Sequence, residues 1–221
     1  MIQDFHPDGG SQPFFGLYPA IVTNIVDEKN LGRIQVKFPS LGKDGDQVRA
    51  WATLLTPYAD DNQGFEVLPA VETQVVVACE AGSGRRCYIL GSAWNGKEKL
   101  PEAPAEPNNK RLMRTRSGSL LEFDDTEGGA KVTVSMKSGH KLVLDDGASE
   151  VTLAHMNGCQ VKFDGAGNVT ITATSAVTIN APSGLTVNAP SATFSGSVTC
   201  MPLTAASVTS PIYSPGAGNV W

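Results

Sequence analysis

The last Asp, Glu, Lys or Arg in the chain is Asp164, so residues 165–221 carry no side chain of that set. A stretch of Ser, Thr, Ala, Val, Asn, Gly and Pro can form no ion pairs and offers no basic footprint. The net charge of -5 over the whole chain likewise argues against a general nucleic-acid binder. Histidine is scarce: His6, His140 and His155 are the only three, and none stands in HExxH or another metal-ligand spacing. Neither a histidine-based catalytic centre nor a zinc site is expected. No run approaches the roughly 18 apolar residues of a transmembrane helix. The opening "MIQDFHPDGG" lacks a basic stretch followed by an apolar one, so synthesis in the cytoplasm without a signal peptide is expected. Cys79, Cys87, Cys159 and Cys200 form no CxxC pair and are expected to be buried free thiols rather than disulfides or metal ligands.

What is present is β-structure. Residues 1–16, rich in Gly, Pro, Gln and Asp, read as an arm with no core of its own. From 17 to 95 the segments "LYPAIVTNIVD", "GRIQVKFP", "VRAWATLLTPYA", "FEVLPAVETQVVVACE" and "RRCYILGSAW" read as five strands separated by Asn and Gly turns. "RIQVKF" alternates polar with apolar, as a half-buried strand does. Five short antiparallel strands in about 80 residues suit a small closed barrel of the OB type. Residues 96–111, with Pro101, Pro104 and Pro107 and no periodicity, read as a linker.

From 112 to 221 the chain repeats itself. "SGSLLEFDD" (117–125), "SGHKLVLDD" (138–146) and "NGCQVKFDG" (157–165) alternate with "KVTVSM", "EVTLAH" and "NVTITAT", which predicts pairs of short strands joined by Gly or Asp turns. Further on the period tightens to about eight, as in "AVTINAPSGLTVNAP" (176–190). A strand residue advances about 3.3 Å, so eight residues supply one strand and one corner, a single side of a prism. One chain could close such a prism as a β-solenoid, but solenoids protect their open ends with polar caps and none is recognisable here. Three intertwined chains, each lending one side, remove the edges without a cap. The reading is a homotrimeric, triple-stranded β-helix with Val177, Ile179, Leu185 and Val187 on the shared axis and an apex near 211–221 that includes Tyr213 and Trp221. About 13 strands stacked at roughly 4.8 Å give a needle on the order of 60 Å long.

These residues resemble a known family. "RSGSLLEFDDTEGGAKVTV" and "KSGHKLVLDD" are similar to the repeats that follow the barrel in VgrG-type spikes and in phage baseplate assembly protein V. "GLYPAIVTNIVDEKNLGRIQVKFP" and "CYILGSAWNGKEKLP" resemble the first two strands and the exit of that barrel. The resemblance implies three OB-folds docked beneath the hub of a contractile tail, with an intertwined needle below. No lysozyme-like insertion and no large hub domain is present, so the hub is expected on a separate polypeptide. Many short spikes end in a His-x-His element that binds iron. This chain ends "TSPIYSPGAGNVW" with no His beyond His155, so no tip metal and no cofactor is carried over, and a separate PAAR-like tip protein is a possible partner.

No catalytic residue is assigned. Asp124, Asp125, Asp145 and Asp146 invite a glycosidase reading because paired carboxylates serve as acid and base. They recur with the repeat beside Gly, however, as turn residues do. His140 is expected to face outward from a strand, and "GSGRRC" (82–87) reads as a hairpin turn rather than a phosphate loop. Between 17 and 95, seven Lys or Arg stand against nine Asp or Glu, so the barrel is expected to dock on protein, not on nucleic acid. The expected function is a membrane-piercing central spike of a phage or phage-like injection particle, incorporated in its baseplate and meeting the target membrane transiently. The alternative is a β-solenoid adhesin or polysaccharide-binding fibre.

Overall fold

The computed structural model describes residues 16–41, 48–80 and 85–212, and every regular element among them is a strand. The first unit holds β1 (Leu17–Asn24), β2 (Arg33–Lys37), β3 (Arg49–Leu54), β4 (Ala59–Asp60), β5 (Gln63–Gly64), β6 (Gln74–Cys79) and β7 (Cys87–Ser92). The second holds β8 (Lys110–Arg114), β9 (Leu120–Asp124), β10 (Lys131–Ser135), β11 (Lys141–Asp145), β12 (Glu150–Ala154), β13 (Gln160–Phe163) and β14 (Val169–Thr172). The expected arm (save Gly16), the first half of the expected "GSGRRC" turn and the apical Tyr213 and Trp221 lie outside the described residues.

Strands β1, β2, β3, β7 and β6 close a barrel in that order. Alternation builds its interior: Ala20 and Val22 from β1, Ile34 and Val36 from β2, Ala50 and Ala52 from β3, Val75 and Val77 from β6, and Cys87 and Ile89 from β7 are buried, with Phe38 filling the space beyond β2. Their neighbours along each strand face outward, as the two-residue repeat of a strand requires. One pairing differs from the all-antiparallel expectation: β3 and β7 run parallel, because the chain crosses from one side of the barrel to the other through residues 55–73. That crossing was expected to contribute a strand from Phe65 onward. Instead β6 begins at Gln74, preceded by a turn in which Glu72 adopts a left-handed φ of 70°, and a small β4–β5 hairpin projects from the crossing.

The expectation for the cysteines is corrected. Cys79 and Cys87 are direct cross-strand partners on β6 and β7 and form a disulfide. A separation of eight residues looks unpaired in the sequence, but a hairpin folds the two positions opposite one another. Cys159 is a half-buried free thiol and Cys200 an exposed one.

The second unit is a seven-stranded antiparallel meander in which each strand from β8 to β14 pairs with its neighbours in sequence. Its turns explain why the repeats restart at "SG" and "NG". The N–H groups of Gly118, Gly139 and Gly158 donate to the carbonyls of Thr115, Met136 and His155 at 2.9, 2.9 and 3.0 Å. All three glycines have φ between 88° and 105°, where a side chain would strain the backbone. The paired strands of each cassette are therefore as expected. The reading of a needle from residue 112 left the partner of each cassette open, and from Lys110 to Thr172 the ladder is made within one chain. Seven strands at about 4.8 Å give a stack roughly 30 Å high.

Candidate functional site

Register decides which side chains share a face of the meander. In one row, Phe123, Val132, Leu144, Val151, Phe163 and Val169 are successive cross-strand partners. In the parallel row two residues along, Met113, Leu121, Val134, Leu142, Leu153, Val161 and Ile171 are partners. Both rows lie on the same face, and every member from β9 to β14 is apolar; on β8 the first row ends in Arg111, the partner of Phe123. The opposite face carries Lys131, Asp145, Glu150, Lys162 and Thr133, with ion pairs from Lys131 to Asp145 at 3.3 Å and from Lys162 to Glu150 at 2.6 Å. A sheet patterned this way is built to cover one side and wet the other. Among the described residues nothing covers the apolar side fully: nine of its thirteen members are exposed, from 37% at Val151 to 63% at Ile171, and Leu121, Val132, Leu142 and Val161 are half-buried. The sequence reading placed its axial residues only in the octapeptides. The alternation inside "LLEF", "VTV", "LVL" and "VTL" was the signal for this larger face.

Beyond Thr172 the described chain forms no strand ladder with itself. Between 173 and 212 one backbone–backbone hydrogen bond occurs among the described residues, from the N–H of Gly184 to the carbonyl of Ala181 at 3.0 Å. The four expected axial side chains are all exposed within the chain, Val177 by 58%, Ile179 by 66%, Leu185 by 66% and Val187 by 68%. Backbone N–H and C=O groups are obligatory hydrogen-bonding groups. Here they are available for partners outside the chain.

The polar residues near this face behave as turn formers. Asp124 accepts the N–H and the hydroxyl of Thr126, the N–H at 3.0 Å. Asp145 accepts the N–H of Ala148 at 3.0 Å, and Asp164 accepts those of Ala166 and Asn168 at 3.0 and 2.9 Å. The Thr126 contacts hold the Asp124 carboxyl below its ordinary range, the Ala148 N–H does so for Asp145, and Asn168 does so for Asp164. The other two aspartates of the glycosidase reading, Asp125 and Asp146, follow directly at the same turns and are exposed. His140 was expected to face outward. It is half-buried, with its ring 4.4 Å from that of His155, its cross-strand neighbour beyond β11 and β12. Hydrogen bonds to Thr174 lower the thiol pKa of Cys159. Among the described residues no group of three or more His, Cys, Asp or Glu is placed to hold a metal ion, and no helix is long and apolar enough to cross a membrane.

In the barrel, the loop after β1 is fixed by Asp27, whose carboxylate accepts the N–H groups of Lys29 and Leu31 at 3.0 and 3.1 Å and both arms of the Arg33 guanidinium at 2.9 Å. Arg33 lies 5.6 Å from the centre of the Trp51 ring. Arg33, which follows Gly32 in the segment "GLYPAIVTNIVDEKNLGRIQVKFP", is thus a structural clamp.

A closed five-stranded barrel joined to a one-sided β-meander defines an OB domain bearing a shaft. Residues 18–94, the extent of that barrel, match the family of Type VI secretion system/phage-baseplate injector OB domains. The barrel is similar to this family, in line with the resemblance to baseplate assembly protein V and VgrG-type spikes, and the likeness suggests a structural role in an injector baseplate. No curated protein matches the chain.

Proposed function

We propose that the chain is the central spike of a contractile injector, acting as a homotrimer that is pushed through the target envelope and transforms no substrate. The observation that carries this reading is the face of β9–β14, apolar in every row and largely exposed within the chain, continued by a segment with almost no ladder of its own. Three copies related by a three-fold axis bury that face as the core of a three-sided prism. From residue 173 onward the chains then pair with one another, so that the triple-stranded β-helix is the distal part of the needle. Val177, Ile179, Leu185 and Val187 point inward there. The absence of charge beyond Asp164 suits passage through lipid, where a charged side chain costs on the order of 2.5 to 3.5 kcal/mol on insertion scales. The barrel docks on a hub carried by another polypeptide, and a PAAR-like protein caps the tip.

A single-chain solenoid adhesin fits less well. Solenoid coils stack parallel rungs, whereas this sheet is antiparallel throughout. Native mass spectrometry of the full chain tests the proposal: the expected particle has three times the mass of the 23.2 kDa chain. A monomer under gentle native conditions rejects it.

A further inference from the structure

The two ends of the meander's strands differ in charge. At one end lie the turns 115–119, 136–140 and 155–159. They and the strand residues that enter them carry Arg114, Arg116, Lys137 and Lys141, together with His140 and His155, and no carboxylate. All four Arg and Lys side chains are exposed, and among the described residues none forms an ion pair within the chain. At the other end lie the turns 125–130, 146–149 and 164–168. There Asp125, Glu127, Asp146 and Asp164 follow the strand-terminal Asp124 and Asp145. The cations at this end are already engaged within the chain, Lys131 by Asp145, Arg111 by Asp125 and Lys110 by Glu102 and Glu122, which leaves Glu127 and Asp146 outside these pairs and the end acidic in balance. The sheet is therefore basic along one long edge of its apolar face and acidic along the other.

We propose that these edges are the seams of the needle: the basic edge of each copy seats on the acidic edge of the next, and this charge pairing sets the handed order of three chains around the axis. The inference rests on the trimeric reading above. In a closed three-fold ring every contact is heterologous, one edge against the other, so like edges never meet. Three sheets with apolar faces turned to the axis necessarily bring Arg116 and Lys137 of one copy toward Glu127 and Asp146 of its neighbour. Charge complementarity of this kind selects partner and register more than it adds affinity. It also disfavours the wrong arrangement, in which two acidic or two basic edges face each other.

Two measurements on the full chain test it. In a Cys159→Ser, Cys200→Ser background, Ser138→Cys marks the basic edge and Ala148→Cys the acidic edge. Within one chain a five-residue strand of roughly 17 Å separates the two edges, too far for a short bismaleimide. The double-cysteine variant is expected to give a covalent trimer and each single-cysteine variant none. Cross-linking in a single-cysteine variant, with the native mass still trimeric, overturns the seam and leaves the trimer standing. In the second measurement, Arg116→Glu with Lys137→Glu is expected to reduce the trimer fraction at least tenfold at low salt, and adding Glu127→Lys with Asp146→Lys is expected to restore it. A trimer fraction indifferent to the first pair of reversals overturns the proposal. A monomeric parent chain removes the seam and the trimeric reading together.

Discussion

Asp27 and Arg33 close the β1–β2 loop with two parallel hydrogen bonds, Nε to Oδ2 and Nη2 to Oδ1, each 2.9 Å long. The Asp27 side chain is 6% exposed and that of Arg33 26%, and the guanidinium holds the Asp27 carboxyl well below the ordinary range. Two-pronged pairing of this type depends on the planar fork of arginine. Arg33→Lys should therefore lower the thermal midpoint of the barrel nearly as much as Arg33→Ala. Near-UV circular dichroism, which senses the adjacent Trp51, follows the transition. An Arg33→Lys variant as stable as the parent would show that the fork is dispensable.

The uncovered face makes a sharper prediction about assembly. Leu144→Asp places a charge between its apolar cross-strand partners Val132 and Val151, on the face proposed to be the trimer interior, where an unpaired charge costs several kcal/mol. The native mass should fall to that of one chain while the barrel signal stays intact. Thr152→Asp, on the opposite face of the neighbouring strand, should leave the mass unchanged. Equal effects from the two variants would mean that the apolar face is not the interface.

How much of this was readable beforehand follows from what a two-residue period encodes. "RIQVKF" places Ile34 and Val36 inward whatever surrounds them, and the Gly-centred restarts at 118, 139 and 158 fix hairpins locally. The barrel and the meander were therefore legible. The period says nothing about which chain supplies the next strand. The reading of a needle from residue 112 left the partner of each cassette open; up to Thr172 the ladder runs on within the chain, because "SG" and "NG" turns are short enough to return the chain on itself. The charge-free octapeptides keep one such turn, at Ser183-Gly184, but among the described residues no ladder flanks it, and pairing within the chain stops there. Distant pairing was also hidden for Cys79 and Cys87, which are opposed only once the hairpin forms.

That disulfide closes a loop of about eight residues, for which the chain-entropy account gives about 2 to 3 kcal/mol. Reductant should lower the unfolding midpoint of the barrel and leave the shaft transition in place. The Cys79→Ser, Cys87→Ser variant should start from the lower midpoint and ignore reductant. A midpoint unaffected by reductant in the parent chain would remove the disulfide from the barrel's stability.

Gly147 marks a close approach between turns. A Cβ there would lie 2.8 Å from the Cα of Gly129, against backbone that cannot rotate away. Gly147→Ala should cost about 1 to 3 kcal/mol of shaft stability, the usual range for overpacking. Gly91→Ala, on β7 with nothing within 4 Å of the added carbon, should be close to neutral. The difference in denaturation midpoint between the two variants measures the contact.

Acid should loosen the shaft through the turn aspartates. Asp124, Asp145 and Asp164 have folded pKa values below their ordinary ones because Thr126, Ala148 and Asn168 donate to the ionised carboxylates. A depressed folded value means that the unfolded chain takes up protons first, so this stabilisation is fully present above the unfolded pKa of about 3.9 and is lost as pH falls from there through the folded values. Shaft stability should be flat between about pH 5 and 7 and fall below pH 4. In the Asp124→Asn, Asp145→Asn, Asp164→Asn variant the starting stability should be lower and the acid-dependent slope shallower. Asparagine keeps a side-chain acceptor for the turn N–H but cannot ionise, which separates the charge contribution from the turn geometry. If the triple variant keeps the parent's slope, the acid sensitivity arises elsewhere.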